Sequence, residues 1–159
     1  MTARPRWADD ADAPGVGRRV PRAHAPAADW AAGRIELPPD EAHHLTRVLR
    51  LGEGDAVEVF DGAGRSAAGR LAAVGKRRAT VEIAAPPCVE PAPAVELILV
   101  QSLPKGHKAD LIVQKGVELG LARLLFVETA RSVARLGPEG DEDRAARWRA
   151  VAVSAAKQC

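Results

Sequence analysis

The period of the hydrophobic positions changes along the chain, and each change marks an element. Over residues 95–100 (VELILV) apolar side chains run almost without a break, which suits a strand buried on both faces of a parallel sheet. Residues 108–119 contain no proline. They wind Leu111, Ile112, Val117 and Leu119 around an amphipathic cylinder that also carries Lys115 and Glu118, and they meet Gly120, the residue expected just past a helix C-terminus. Residues 121–127 are apolar again. Strand, crossover and strand of this length form a βαβ unit, whose right-handed connection gathers the loops after the strand C-termini on one edge, where ligands of open α/β sheets bind.

Upstream the signal is shorter-ranged. Residues 1–18 are rich in Ala, Asp, Arg, Pro and Gly without periodicity and read as a disordered tail. Residues 19–37 carry weak strand hints, with Trp30 and Ile35 as anchors. Pro38 and Pro39 then block helix upstream, Asp40 can cap, and Ala42, Leu45, Val48 and Leu49 follow at helical spacing, so a short helix is predicted. Its other faces carry His43, His44, Arg47 and Arg50. After a turn at 52–55 the period drops to two: Val57 and Val59 share a face, Asp61-Gly62 is a hairpin-type turn, 65–74 is a second extended segment, and 80–83 follows the turn at 75–78. These strands predict a small antiparallel barrel or meander. Pro86, Pro87, Pro91 and Pro93 cannot sit in a central strand and place a domain boundary there.

Beyond a loop at 136–140, Asp141 opens another helix, with Asp141, Glu142 and Asp143 at its positive end and Trp148, Val151 and Ala155 along it. That helix reaches Cys159 with no glycine, proline or other cap. Two strands and one crossover cannot bury both faces of a parallel sheet, so the second domain reads as incomplete.

Composition narrows the classes. An apolar fraction of 47% supports a packed core, and a formal net charge of +2 does not by itself indicate nucleic acid. The distribution says more, because arginine dominates the basic residues and clusters in short stretches, where planar guanidinium groups suit phosphate. Base composition of the genome explains such enrichment equally well. Cys88 and Cys159 show no metal-ligand spacing, so neither a metal site nor a disulfide framework is expected, and a reducing cytoplasm fits. No run approaches the roughly 18 to 20 apolar residues that span a bilayer, and the N-terminus lacks a signal-peptide core; no membrane association is expected.

Several residues carry candidate chemistry. Adjacent histidines on a helix point about 100° apart, so His43 and His44 do not make a metal site, although His44 is a candidate for an RNA interface. Arg47 and Arg50, three apart on one face, and the hairpin Lys76-Arg77-Arg78 are candidate phosphate contacts, while ordinary solvated charge remains the alternative for each. Without interleaved aromatic residues there is no stacking platform, so binding by shape and backbone charge is the expected mode. Lys105, in Lys105-Gly106-His107-Lys108 after the first buried strand, stands where a ligand loop belongs, but the spacing is neither a Walker loop nor a dinucleotide fingerprint. Glu118 is read as a structural partner of Lys115 or a neighbouring loop. The 137–140 tetrapeptide, Gly-Pro-Glu-Gly, is explained as a loop leading into a helix cap.

The segment Asp40-Glu41-Ala42-His43-His44-Leu45-Thr46-Arg47-Val48-Leu49-Arg50-Leu51, with Gly54-Asp55 and Phe60-Asp61-Gly62, resembles the N-terminal PUA-like domain of the ribosomal RNA small subunit methyltransferase E family. Lys105-Gly106, Gln114-Lys115, Glu118-Leu119-Gly120, Arg131-Ser132-Val133 and Ala156-Lys157-Gln158-Cys159 resemble the start of that family's catalytic domain. The likeness runs in unbroken order over residues 19–159. It implies an α/β protein with a small β-domain: an N-terminal PUA-like β-barrel for RNA binding over 19–85, a proline-rich linker over 86–93, and over 94–159 the first part of a SPOUT α/β methyltransferase domain whose trefoil knot would follow. It also implies S-adenosylmethionine-dependent methylation of N3 of a uridine in 16S rRNA of the small ribosomal subunit, by a homodimer. The cofactor loops are expected in the knot, C-terminal to Cys159, which would leave this chain alone inactive. The tetrapeptide at 137–140 is a coincidental likeness to the family's Gly-Pro-Glu-Gly-Gly cofactor motif. Arg131, past the second strand, is the candidate for stabilising the uridine anion or clamping a phosphate. A non-catalytic PUA-like RNA-binding module is the competing reading; a small-molecule α/β enzyme leaves the basic β-domain unexplained.

Overall fold

The computed structural model describes residues 20–75, 77–132, 135 and 141–159. The tail over 1–18, Lys76, Val133 and the 137–140 tetrapeptide therefore lie outside the described residues. The first part of the chain forms one six-stranded mixed sheet. Strand β1 (Arg22–His24) runs parallel to β3 (Ala56–Phe60), and β3, β4 (Arg65–Val74), β5 (Ala79–Ile83) and β2 (Arg34–Glu36) follow antiparallel in that spatial order. Period two explains the core. Val57 and Val59, Leu71, and Ala79 and Val81 point inward and meet Ile35, Ala42 and Leu45 in one buried cluster.

Three expectations shift here. The all-antiparallel meander becomes a mixed sheet, because the three-residue β1 adds to the outer edge of β3. The proline-rich segment is not a free linker, since β6 (Cys88–Val89) pairs with Arg65 and Ser66 of β4 and the Glu90 amide donates to the Gly64 carbonyl at 2.8 Å. The helix after Pro38 is α1 (Pro39–His43) followed by a π-helical turn over His44–Val48, in which the Leu49 amide donates to the His44 carbonyl at 3.0 Å. The wider turn keeps Ala42 and Leu45 buried but swings Val48 out to 60% exposure, although its spacing fits a 3.6-residue period.

The second part is the expected βαβ unit. Strands β7 (Ile98–Ser102) and β8 (Arg123–Val127) are parallel and in register, joined by α2 (Lys108–Glu118). Helix α2 ends as Gly120 predicts. Gly120 takes φ 71°, its amide donates to the Val117 carbonyl, and the Leu121 amide reaches back to the Gly116 carbonyl at 2.9 Å, closing a Schellman motif. Helix α3 (Asp141–Ala156) packs against α2 and lays Trp148 on Phe126 of β8, with ring centroids 4.5 Å apart. Strand β7 starts three residues later than the apolar run does, leaving Val95 and Leu97 exposed. Nor is it buried on both faces: Ile98, Val100 and Leu125 share the uncovered face of this two-stranded sheet. Among the described residues no helix is long and apolar enough to cross a membrane.

Candidate nucleic-acid interface

The π-helical turn and the β4–β5 hairpin stand on opposite sides of one open groove. Thr46, Arg47, Leu51, Val74 and Gly75 line its 420 Å³. Local bonds dictate this shape. The Thr46 hydroxyl donates to the Ala42 carbonyl at 2.8 Å, the Leu51 amide donates to the Leu45 carbonyl at 3.0 Å, and Leu45 is fully buried, so the turn is pinned from below while Arg47 stays exposed. Arg50 then adopts φ 57°, a left-handed conformation that costs an arginine about 1–2 kcal/mol. Across the groove, the Gly75 amide donates to the Arg78 carbonyl at 2.7 Å and closes the hairpin tip that carries Arg77.

Arg47, Arg50 and Arg77 have no ion-pair partner among the described residues. Arg78 pairs with Glu36 at 3.7 Å, but both side chains are mostly exposed, and such a pair contributes about 0–1 kcal/mol. It does not hold Arg78 away from another anion. His44 is half-buried and His43 exposed, and among the described residues no cluster of His, Cys, Asp or Glu stands ready to hold a metal. Thr46, Leu51 and Val74 belong to the groove without having been singled out in the sequence, because nothing in an uncharged residue marks it as lining a site.

Lys105 and Arg131 lie elsewhere, on the loops after β7 and β8. Both are exposed, both sit at the C-terminal edge of the parallel sheet, and neither has a side-chain partner among the described residues. Beneath Arg131 is a hydroxyl cluster that the sequence did not announce. The Ser102 and Ser132 hydroxyls are 2.9 Å apart, the Thr129 amide donates to Ser132 Oγ at 2.9 Å, and Thr129 Oγ1 lies 3.0 Å from the same atom. Ser132 is buried by this cluster, which fixes the turn that presents Arg131.

The α2 motif residues serve structure. Lys115 Nζ donates to Glu118 Oε2 at 2.6 Å and Gln114 Nε2 to Glu118 Oε1 at 2.9 Å, and these two bonds hold the Glu118 carboxyl below the usual carboxylate range. A depressed folded-state pKa contributes stability that is present above the unfolded-state pKa and lost as pH falls through the folded one. Glu118→Gln is therefore expected to flatten the low-pH side of the stability profile, which thermal melts across the carboxylate range would read.

Two family models match this architecture in chain order. One described as an RNA methyltransferase PUA domain covers residues 37–84, and one described as an RNA methyltransferase domain covers residues 90–159. The fold thus belongs to an RNA methyltransferase architecture with an N-terminal PUA domain. A ribosomal RNA small subunit methyltransferase E from Bacillus subtilis (strain 168) is 30% identical over 119 residues, covering 75% of this chain and 46% of that protein. The protein of the same name from Mycobacterium bovis is 34% identical over 127 residues, covering 75% and 45%. A crystal structure of a ribosomal RNA small subunit methyltransferase E from Neisseria gonorrhoeae bound to S-adenosyl methionine superposes with a TM-score of 0.71 at 29% identity, covering 88% of this chain and 56% of that one. The chain belongs to the ribosomal RNA small subunit methyltransferase E family. It spans about half the length of the curated relatives it matches.

Proposed function

We propose that this chain is the RNA-gripping and first catalytic portion of an S-adenosylmethionine-dependent enzyme that methylates N3 of a uridine in 16S rRNA of the small ribosomal subunit. The observation that carries the reading is the groove between the π-helical turn and the hairpin tip, with Arg47 in its lining, Arg50 just past the turn and Arg77 on the tip, none of the three ion-paired among the described residues. Guanidinium groups spaced along a shallow groove suit a phosphate backbone, and a strained left-handed arginine is tolerated where its direction matters. Arg78 and His44 flank the same surface. Lys76 completes the basic hairpin in the sequence.

S-adenosylmethionine carries a sulfonium cation. The groove, lined by Thr46, Arg47, Leu51, Val74 and Gly75 without an acidic side chain, offers that cation no counter-charge and does not fit the cofactor. Its site is assigned to polypeptide C-terminal to Cys159, in the trefoil knot of a SPOUT domain that acts as a cytoplasmic homodimer. Calorimetric titration of S-adenosylmethionine into the 159-residue chain is expected to give no binding; tight binding would overturn that assignment.

Methylation at N3 requires the uracil N3 proton to leave, which develops negative charge over N3 and the flanking carbonyl oxygens. A fixed cation beside that charge favours the anion. Arg131, held over the Ser102–Thr129–Ser132 cluster and free of any described partner, is assigned that role or a clamp on an adjacent phosphate, and Lys105 an RNA contact on the same edge. Arg131→Ala in an enzyme carrying the complete catalytic domain is expected to reduce methylation by roughly a hundredfold, the scale of losing one preorganised charge-stabilising group. Unchanged methylation and unchanged RNA binding would remove Arg131 from the account.

A further inference from the structure

Helix α3 ends without a basic residue in its last turn, and its C-terminus carries partial negative charge. The Val153 and Ala155 carbonyls accept from the Lys157 and Gln158 amides at 3.2 and 2.8 Å. A cation reaches the main-chain oxygens beyond them from the far end of the chain. Arg22 on β1 reaches the last turn and donates from Nη1 to the main-chain oxygens of Ala156, at 2.7 Å, and Cys159, at 2.9 Å. Its other nitrogen, Nη2, pairs with Glu58 Oε1 on β3 at 3.1 Å, and its guanidinium carbon lies 4.6 Å from the centroid of the Phe60 ring. The orientation leaves Arg22 Nε buried without a hydrogen-bond partner, so one donor goes unsatisfied while the others serve α3 and Glu58.

A second tie stands beside the first. Glu41 of α1 is buried, receives the His24 amide at 3.3 Å on Oε2, and pairs through Oε1 with Lys157, whose side chain is only 16% exposed. Ala155, one turn of helix away from Cys159, is buried too, and the Cys159 thiol donates back to its carbonyl at 3.3 Å. Each of these groups belongs to one part of the molecule and meets the other: Arg22, Glu41, Glu58 and Phe60 come from the β-domain, Ala156, Lys157 and Cys159 from the end of α3. A buried carboxylate or guanidinium stripped of its partner is left uncompensated, so these pairs favour one relative placement of the two parts strongly.

We infer that Arg22 and the Glu41–Lys157 pair are positioning residues that form an interdomain joint, holding the RNA groove of the β-domain at a set orientation to the α/β part and its Arg131 edge. The joint supplies what a proline-stiffened connection alone does not: a fixed bearing about the chain that links the parts. Its function, presenting bound RNA to the edge of β7 and β8, rests on the RNA reading above. Its existence does not.

The test is NMR relaxation of the backbone amides in the 159-residue chain, without RNA. The amides of β3, β4 and β5 and those of α2 and α3 are expected to share one rotational correlation time. Lys157→Glu, which sets two carboxylates against each other, is expected to abolish the shared value and give α2 and α3 a shorter time of their own while β-domain shifts stay in place. Lys157→Met, which keeps the stem and loses the charge, supplies the same reading should the glutamate variant unfold α3. The swap Glu41→Lys with Lys157→Glu is expected to restore common tumbling. Common tumbling that persists in the Lys157 single variants, or separate tumbling that persists in the swap, would overturn the joint. RNA affinity measured on the same samples reports on the RNA reading separately.

Discussion

Gly69→Ala is expected to lower the stability of the β-domain by roughly 2–3 kcal/mol, near the upper end of what overpacking a well-filled core costs. Gly69 lies mid-strand in β4, opposite Val57 of β3 and Ile83 of β5. A Cβ built there would sit 2.5 Å from the Glu82 main-chain oxygen and 2.5 Å from Val81 Cγ1. Neither neighbour can retreat cheaply, because Glu82 is main chain within a ladder and Val81 is fully buried. Glycine inside a strand ordinarily loses about 0.5–1 kcal/mol to alanine, so the sign rests on the clash exceeding that gain. For a chain of this size the thermal midpoint should fall by roughly 5–10 °C. Gly52→Ala, where a Cβ meets nothing within 4 Å, is the matched control and should be close to neutral. A Gly69→Ala protein as stable as the parent would mean that β4 and β5 do not approach as described.

Removing Arg47, Arg50 and Arg77 together is expected to weaken binding to 16S rRNA by roughly a thousandfold. Each charge-assisted phosphate contact contributes about 1.5 kcal/mol, or a factor of about ten. The loss should be uniform across RNA sequences, since backbone contacts carry no base information. Arg50 allows a sharper reading. Its left-handed φ of 57° makes glycine the better residue for folding, so Arg50→Gly should raise stability by about 1 kcal/mol while weakening RNA binding. A gain in stability with a loss in binding separates a functional arginine from one that merely caps a turn. Arg34 of edge strand β2, ion-paired with Glu82 at the end of β5 away from the hairpin tip, serves as the control whose alanine variant leaves RNA binding unchanged.

What the sequence made legible follows from how local each signal is. Strands β3 to β5 were readable because their inward residues alternate, in β4 as far as the register shift after Leu71, and the end of α2 because Gly120 is the residue a Schellman turn selects. The π-helical turn was not. One extra residue per turn leaves Leu45, Val48 and Leu49 at spacings that fit an ordinary helix, and only the exposure of Val48 reveals the difference. Strands β1 and β2, three residues each, are too short for periodicity, and β6 hides between prolines. The same distinction governs the site. Arg47 and the basic hairpin were visible as separate clusters, but their meeting across a groove depends on residues nearly thirty positions apart. Arg22 gave no signal of its tie to α3, since Ala156 and Cys159 lie more than 130 residues away.

The central claim, that the β-domain grips RNA through arginines on its phosphate backbone, is tested most directly by the salt dependence of binding between the 159-residue chain and a 16S rRNA fragment. Three or more arginine–phosphate contacts predict that log K falls linearly with log salt at a slope of about −2 or steeper, given about −0.7 per contact for single strands. The Arg47, Arg50 and Arg77 triple variant should lose most of that slope. A flat dependence in the parent chain, or a slope unchanged in the triple variant, would contradict the account.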